Sequence, residues 1–287
     1  MPRVTVCWIG GLALLLSLFP PKDTHAQSRS APTVQSDTVA LSPTGRVEIE
    51  NTRGSIDVTT WDRAQVAYEV RFAPAEGDSA VYSMPDIDRS EEAISFGNGS
   101  SWSIRIPGVL TISPEGTREP AGHYRVVMPK TARLDIDDQS SQISVSGVRA
   151  DVSVSSYEGE VSIRDVEGMV TLETYRDTAR VAGLRGGIDL ETYSGTVTVD
   201  FAAFTSESAA ETYSGPLRFV LPVDTGFTLA TELTDADVVV DDIFGPSSAT
   251  NEDETAYNGG GPRLDLESYS GNIEIRPRST AADSSSR

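Results

Sequence analysis

The sequence predicts an all-β protein: a β-solenoid, or β-helix-like stack of two-strand coils, with an excursion inserted near its N-terminal end. Three observations carry that expectation. Apolar and polar residues alternate over short runs broken by Gly, Ser and Asp, the pattern of half-buried strands. Tyr157, Tyr175 and Tyr193 recur every 18 residues, Tyr213 follows after 20, and Val148, Val166 and Leu184 repeat the 18-residue spacing. Beyond the N-terminal leader, no stretch sustains a helical period. A fixed period near 20 with two strands per repeat describes a coil that cannot bury its apolar face alone and must stack on its neighbours.

The leader comes first. "MPRVTVCWIGGLALLLSLFPPKDTHAQ" joins a basic Arg3, an apolar run from Val4 to Phe19 and the small-x-small Thr24-His25-Ala26. That is a secretory signal peptide over residues 1–26, cut after Ala26. Cys7, the only cysteine, leaves with it, so disulfides, cysteine-ligated metals and a cysteine nucleophile are excluded from the mature chain. Residues 27–43 are polar with scattered prolines and read as a linker.

The coil domain is expected over residues 44–276. "GRVEIENTRGSIDVTTWD" turns Val47 and Ile49 to one face, then Ile56 and Val58 beyond Gly54. The same alternation returns with Val152, Val154, Val161 and Ile163, with Val170, Leu172 and Val181, and with Ile188, Leu190, Val197 and Val199. Insertions near 73–122 and 244–262 break the period. In the first, strand parity groups Trp102 with Ile104 and Ile106 and points it inward. The tail 277–287 reads as disordered.

One corner is written three times: Glu-Thr-Tyr-Ser-Gly at 191–195 and 211–215, and Glu-Ser-Tyr-Ser-Gly at 267–271. Gly195, Gly215 and Gly271 are expected to turn the chain through positive φ. Ser194, Ser214 and Ser270 are expected to bond backbone within the turn. Tyr157, Tyr175, Tyr193, Tyr213 and Tyr269 then form a column, interrupted by a degenerate coil near Glu232 and a loop. Glu173, Glu191, Glu211 and Glu267 form a second, outward column.

The formal net charge is −20, and loss of Arg3, Lys22 and Asp23 with the leader removes a net +1 to leave about −21. Nucleic acid and anionic membrane surfaces are excluded as partners, because both require basic patches. No second apolar run is long enough to span a bilayer after the leader is cut. Catalysis finds no support. His123 is the only mature histidine, nothing near it resembles a nucleophile elbow, and two-histidine metal sites are impossible. The adjacent acids Asp137-Asp138 and Asp241-Asp242 point to opposite faces of a strand. The Gly-His-Gly and Arg-Ile-Lys of pectin-hydrolase-like β-helices are absent. No catalytic residue, no metal site and no cofactor are expected.

Two columns remain as binding candidates. Tyr157, Tyr175, Tyr193, Tyr213 and Tyr269 either stack on sugars or pack the corner. Glu173, Glu191, Glu211 and Glu267 either hold cations or form a solvated acidic face, partly neutralised by Arg164, Arg180 and Arg218. A flat ladder does not supply the six to eight oxygens that calcium takes. Ligand contacts are expected first in the two irregular segments, with the columns as the other candidates.

The order "VEIENTRGSIDVTTWD", "YRVVMPKTARLDIDDQSSQISVSG", the coils, "LRFVLPVDTGFTLATELTDADVVVDD" and "LDLESYSGNIEIRP" resembles the putative-adhesin family of secreted bacterial beta-strand-repeat proteins, a family of unknown function. The resemblance covers about Gly45 to Arg276. It implies a β-solenoid at the bacterial cell envelope or surface and carries over no catalytic residues. The expected function is a non-enzymatic interaction module, secreted, periplasmic or at the cell surface, that binds a cell-surface glycan or an envelope protein. The alternatives are an envelope-stress scaffold and a polysaccharide-cleaving β-helix enzyme.

Overall fold

The computed structural model describes residues 33–73, 87–97, 104–106, 109–112, 121–251 and 254–279. The leader, Trp102 and residues 280–287 of the expected tail lie outside the described residues. The protein is all-β; the one helical element among the described residues is a 3-10 turn at Asp242–Phe244.

The chain begins with β1 (Thr33–Ala40), the long β2 (Arg46–Trp61) and β3 (Gln65–Ala73). The excursion carries β4 (Ile87–Arg89), β5 (Ala93–Phe96), the hairpin β6 (Ile104–Ile106) and β7 (Val109–Ile112), and β8 (Ala121–Pro129). The repeating part comprises β9 (Arg133–Ser146), β10 (Val152–Ser156), β11 (Glu160–Arg164), β12 (Glu167–Thr174), β13 (Thr178–Thr192), β14 (Thr196–Phe204), β15 (Ser208–Thr212) and β16 (Leu217–Leu221). The chain continues through β17 (Phe227–Leu233), β18 (Val238–Val240), β19 (Pro246–Asn251), β20 (Glu254–Tyr257), β21 (Arg263–Ser268) and β22 (Ile273–Pro277).

These strands pair in two parallel ladders. The first runs β17, β21, β15, β13, β12, β10, β9, β2, β5. The second runs β18, β22, β16, β14, β13, β11, β9, β2, β8, and β3 and β1 then extend it in antiparallel fashion. β2, β9 and β13 each serve both ladders, one half in each. Register follows the sequence period: Val152 pairs with Leu134 and with Val170, each 18 residues away. The longer 20-residue step has a visible cause, because the β13–β14 pairing slips between Ala182 and Arg185 and takes up the extra residues.

Period-two alternation puts the apolar residues of both ladders into one core. Leu134, Val152, Val170 and Ile188 form one buried row; Ile143, Val161, Ala179 and Val197 form another. Val148, Val166 and Leu184 are buried at a separate corner. A fully buried Val, Leu or Ile contributes about 1.5–3 kcal/mol, so each added coil stabilises its neighbours.

At both ends the order in space departs from the order in sequence. β2 stacks directly on β9, and the excursion returns beneath it, placing β5 under one half and β8 under the other. At the far end, β21 and β22 insert between β15–β16 and β17–β18. The degenerate coil near Glu232 is therefore the outermost rung and does not interrupt the tyrosine column. The loop after Phe244 supplies β20, which pairs antiparallel with β17.

Residues 33–40, expected within a linker, form β1, fully registered against β3 from Thr33↔Phe72 to Ala40↔Gln65. An outer strand is held by backbone hydrogen bonds and needs little apolar sequence, which is why the segment looked polar; Val39 packs on the core. The expected tail also starts late. Pro277 still pairs with Leu221, and the Arg278 N–H donates to the Leu221 carbonyl at 2.7 Å.

The corner glycines are required for a different reason from the expected one. Gly195, Gly215 and Gly271 do not have positive φ. Each passes so close to the rung before it that a β-carbon would clash: 2.5 Å from the Asp177 carbonyl oxygen at Gly195, 1.9 Å from that of Gly195 at Gly215, and 2.2 Å from that of Gly215 at Gly271. The serines act between rungs as well. Ser194, Ser214 and Ser270 donate to the carbonyls of Tyr175, Tyr193 and Tyr213 at 3.2, 3.2 and 3.1 Å.

Urea unfolding should rank two substitutions. Gly215→Ala forces backbone apart and should lose about 1–3 kcal/mol, the usual cost of overpacking. Glu191→Gln relieves like charges on adjacent rungs and should be neutral or slightly stabilising. A Glu191→Gln variant weaker than Gly215→Ala would mean that the acidic column holds the coils together.

Candidate binding surface

In-register parallel pairing repeats one residue type along a line. Tyr157, Tyr175, Tyr193, Tyr213 and Tyr269 follow the last residues of β10, β12, β13, β15 and β21. Their rings stack with centroids 4.6, 4.7, 4.7 and 4.9 Å apart and planes within 7, 9, 2 and 2° of parallel. The spacing is that of the backbone rungs. Gln139 and Thr234 take the equivalent positions on the flanking rungs.

This geometry decides what the tyrosines can do. Sugar stacking needs an open ring face, and inside the column each face is covered by the next ring. Only the outer faces of Tyr157 and Tyr269 are open. The ring edges and hydroxyls are exposed, with Tyr157 at 49% and Tyr269 at 52%. The Arg176 guanidinium lies 5.3 Å from the Tyr175 centroid, so the column already accommodates one cation.

The acidic column is longer than the sequence suggested. Glu173, Glu191, Glu211 and Glu267 are registered to one another, and the line extends through Ser155 to Asp137 and Glu50 at one end and to Glu232 at the other. Seven acids thus occupy eight successive rungs. Glu50 and Glu232 were missed because out-of-order stacking, not the 18-residue period, places them. Among the described residues, Glu173, Glu191, Glu211 and Glu267 join no ion pair. Arg164, Arg180 and Arg218, expected to neutralise them, stand on the second ladder, where Arg218 pairs with Glu274 at 3.0 Å. Adjacent carboxylates one rung apart repel by roughly 1 kcal/mol in water. A groove of about 510 Å³ runs along the two columns from Asp137 and Asp138 to Tyr213.

Beneath the columns lies a third, buried and polar line: Asn51, Asp138, Ser156, Thr174, Thr192, Thr212 and Ser268. Most of it is satisfied. Thr174 donates to Thr192 at 2.9 Å, Thr212 to the Gly215 carbonyl at 2.8 Å, and Ser268 to the Gly271 carbonyl at 2.7 Å. Asp177 departs from the pattern. It holds the corner position that belongs to Gly159, Gly195 and Gly215 on neighbouring rungs, and it is buried. Burial pushes the Asp138 carboxyl up to about 6, against partial relief from Ser141 and with the Asp177 and Asp137 charges adding to the rise. Burial likewise raises Asp177, tempered by Ser156. The signal was in the sequence, as Glu-Thr-Tyr-Arg-Asp where the other corners read Glu-Thr-Tyr-Ser-Gly.

The residues weighed for catalysis are apart. Asp137 is exposed whereas Asp138 is buried, and Asp241 caps the 3-10 turn and pairs with Arg276 at 3.5 Å. His123 Nδ1 lies 2.9 Å from Ser55 Oγ on an exposed face of β8 and β2. Among the described residues, no group of three or more His, Cys, Asp or Glu is placed to hold a metal ion, and no helix is long and apolar enough to cross a membrane.

No curated protein matches the sequence. Two solved structures resemble the chain. A putative cell adhesion protein from Clostridium sporogenes ATCC 15579 is 9% identical, with 86% of this chain and 100% of that chain covered and a TM-score of 0.36. A putative adhesin from Bacteroides fragilis NCTC 9343 is 9% identical, with 86% and 97% covered and a TM-score of 0.37. The sequence profile described as Toastrack DUF4097 matches residues 127–276, which span the coils from β9 to β22. That stretch is more than half of the 287 residues, and the chain belongs to the Toastrack DUF4097 family.

Proposed function

We propose that the protein is a non-enzymatic, exported β-solenoid that works as an interaction module at the bacterial envelope or surface, and that its acid-and-tyrosine face docks a cationic segment of an envelope protein. The observation that carries this reading is the unbroken acidic column. Seven carboxylates in register focus a negative potential along one line. Beside it the tyrosines offer hydroxyls and ring edges, with closed ring faces. A row of Lys or Arg side chains matches both features. A glycan finds open ring faces only at the two ends of the column, so protein is favoured over sugar. The candidate residues are Tyr157, Tyr175, Tyr193, Tyr213 and Tyr269 with Glu173, Glu191, Glu211 and Glu267.

The irregular segments are less available for a ligand than their sequence suggests. β5 and β8 lie under β2, and β20 lies on β17, so their described parts cover the ends of the ladders. Export rests on the signal peptide read from the leader. Expression in a bacterial host should yield a mature chain beginning at Gln27, which intact-mass measurement would detect.

Binding to a fluorescent lysine-rich peptide tests the surface. The parent should bind with an affinity that falls as salt rises. The Glu173→Gln, Glu191→Gln, Glu211→Gln and Glu267→Gln combination should weaken binding by about tenfold or more, a loss of about 1.4 kcal/mol. Tyr193→Phe should bind nearly as the parent, since only one hydroxyl is lost. Parent-like binding by the fourfold variant would remove the acidic face as the docking surface, and the glycan and scaffold alternatives would then be pursued through the irregular segments.

A further inference from the structure

Around Asp138 the buried polar line loses its balance of donors and acceptors. Asp138 Oδ1 accepts from Ser141 Oγ at 2.5 Å, and Asn51 Nδ2 donates to Ser141 Oγ at 2.9 Å. Four other oxygens are sealed from solvent and meet no donor: Asp138 Oδ2, Ser156 Oγ and both carboxylate oxygens of Asp177. Asp138 is 2% exposed and Asp177 1%. The three residues are neighbours: Asp138 and Ser156 pair in register, the Thr178 N–H following Asp177 donates to Gly159 at 3.3 Å, and the two carboxyl groups act on each other.

We infer that Asp138, Asp177 and Ser156 form a buried proton-binding site at this corner, which keeps the pair from carrying two charges and makes the cohesion of the coils at β9, β10 and β12 depend on pH. Two ionised carboxylates sealed together without a counter-charge are strongly disfavoured. The groups facing them do not supply one. Asp137 on β9 and Glu158 in the turn after β10 add negative charge. From β2, Glu50 acts with Asp138 on the buried Tyr124 phenol of β8, and Asn51 is neutral; Arg53 lies in register with Ser140. A proton on either carboxyl removes one charge and creates an O–H donor among oxygens that have none.

The sign of the pH dependence follows. The folded protein binds the Asp138 proton more tightly than the unfolded chain, with its carboxyl at about 6 against an ordinary 3.8. Stability from this site is therefore fully present below the ordinary value and is lost as pH rises through about 6. The site also touches the proposed docking face: the Tyr157 N–H donates to the Asp138 carbonyl at 3.2 Å, at the first rung of the tyrosine column.

Two measurements on the full chain test the inference. Carboxyl NMR of aspartate-labelled protein should show a group titrating near 6 that disappears in Asp138→Asn. Urea midpoints should fall for the parent as pH rises through about 6, while Asp177→Gly, which restores the corner glycine, should lack that step and unfold later at about pH 7.5. Absence of any such carboxyl would overturn the proposal. So would a parent midpoint at about pH 7.5 that rises with calcium or magnesium and falls with chelator, which would assign the corner to a metal cation instead. An unchanged pH step in Asp177→Gly, with lower stability, would show that Asp177 is a packing residue only.

Discussion

Each coil meets the next through parallel backbone hydrogen bonds about 4.8 Å apart, with no slip of register between equivalent residues. That match superposes every chemical choice made in one coil on the same choice in the next. Apolar residues become continuous buried rows, and threonines become a line of shared hydroxyls. Corner glycines become the places where one backbone passes over another at distances that leave no room for a β-carbon. The tyrosine and glutamate columns arise from the same translation, so the surface cannot be altered at one coil without meeting its copies above and below.

Superposition helps some residue types and penalises others. Tyrosines gain, because neighbouring rings stack at the rung spacing. Carboxylates lose, because like charges fall one rung apart in the open and, at Asp138 and Asp177, within the core. A chain that keeps an acidic residue on seven of eight rungs maintains an arrangement that packing alone does not favour. The exposed column and the buried pair differ in their remedy. Solvent and salt screen the first, whereas the second requires a proton or other positive charge inside the fold.

The ends of the ladders solve a different problem. A stack of parallel coils leaves an unpaired edge and an open core at each end. Here both are closed by chain that leaves its place in the sequence. The excursion returns beneath β2, and the last coil slips inside β17 and β18, leaving the degenerate coil outermost. The consequence for the surface is direct: Tyr269 stacks on Tyr213, and Glu232 and Glu50 lengthen the acidic column at its two ends.

The repeat, the strand alternation and the membership of both columns were legible in the sequence. In the middle of the chain the spatial neighbour of Val152 is the residue 18 positions away, so a local period reports contacts directly. Beyond that stretch, contacts jump. Ser208 pairs with Leu264 and Arg46 with Arg133, across separations that no period encodes. Only the tertiary structure could therefore show that the tyrosine column is unbroken, that residues 33–40 form a strand and that the corner glycines serve close approach between rungs. It also decided the character of Asp177, whose departure from the Ser-Gly corner is visible in sequence but whose burial beside Asp138 depends on where the rungs before and after it lie. Side-chain alternation is set locally by the backbone, whereas burial and charge pairing are set by what stacks on each rung.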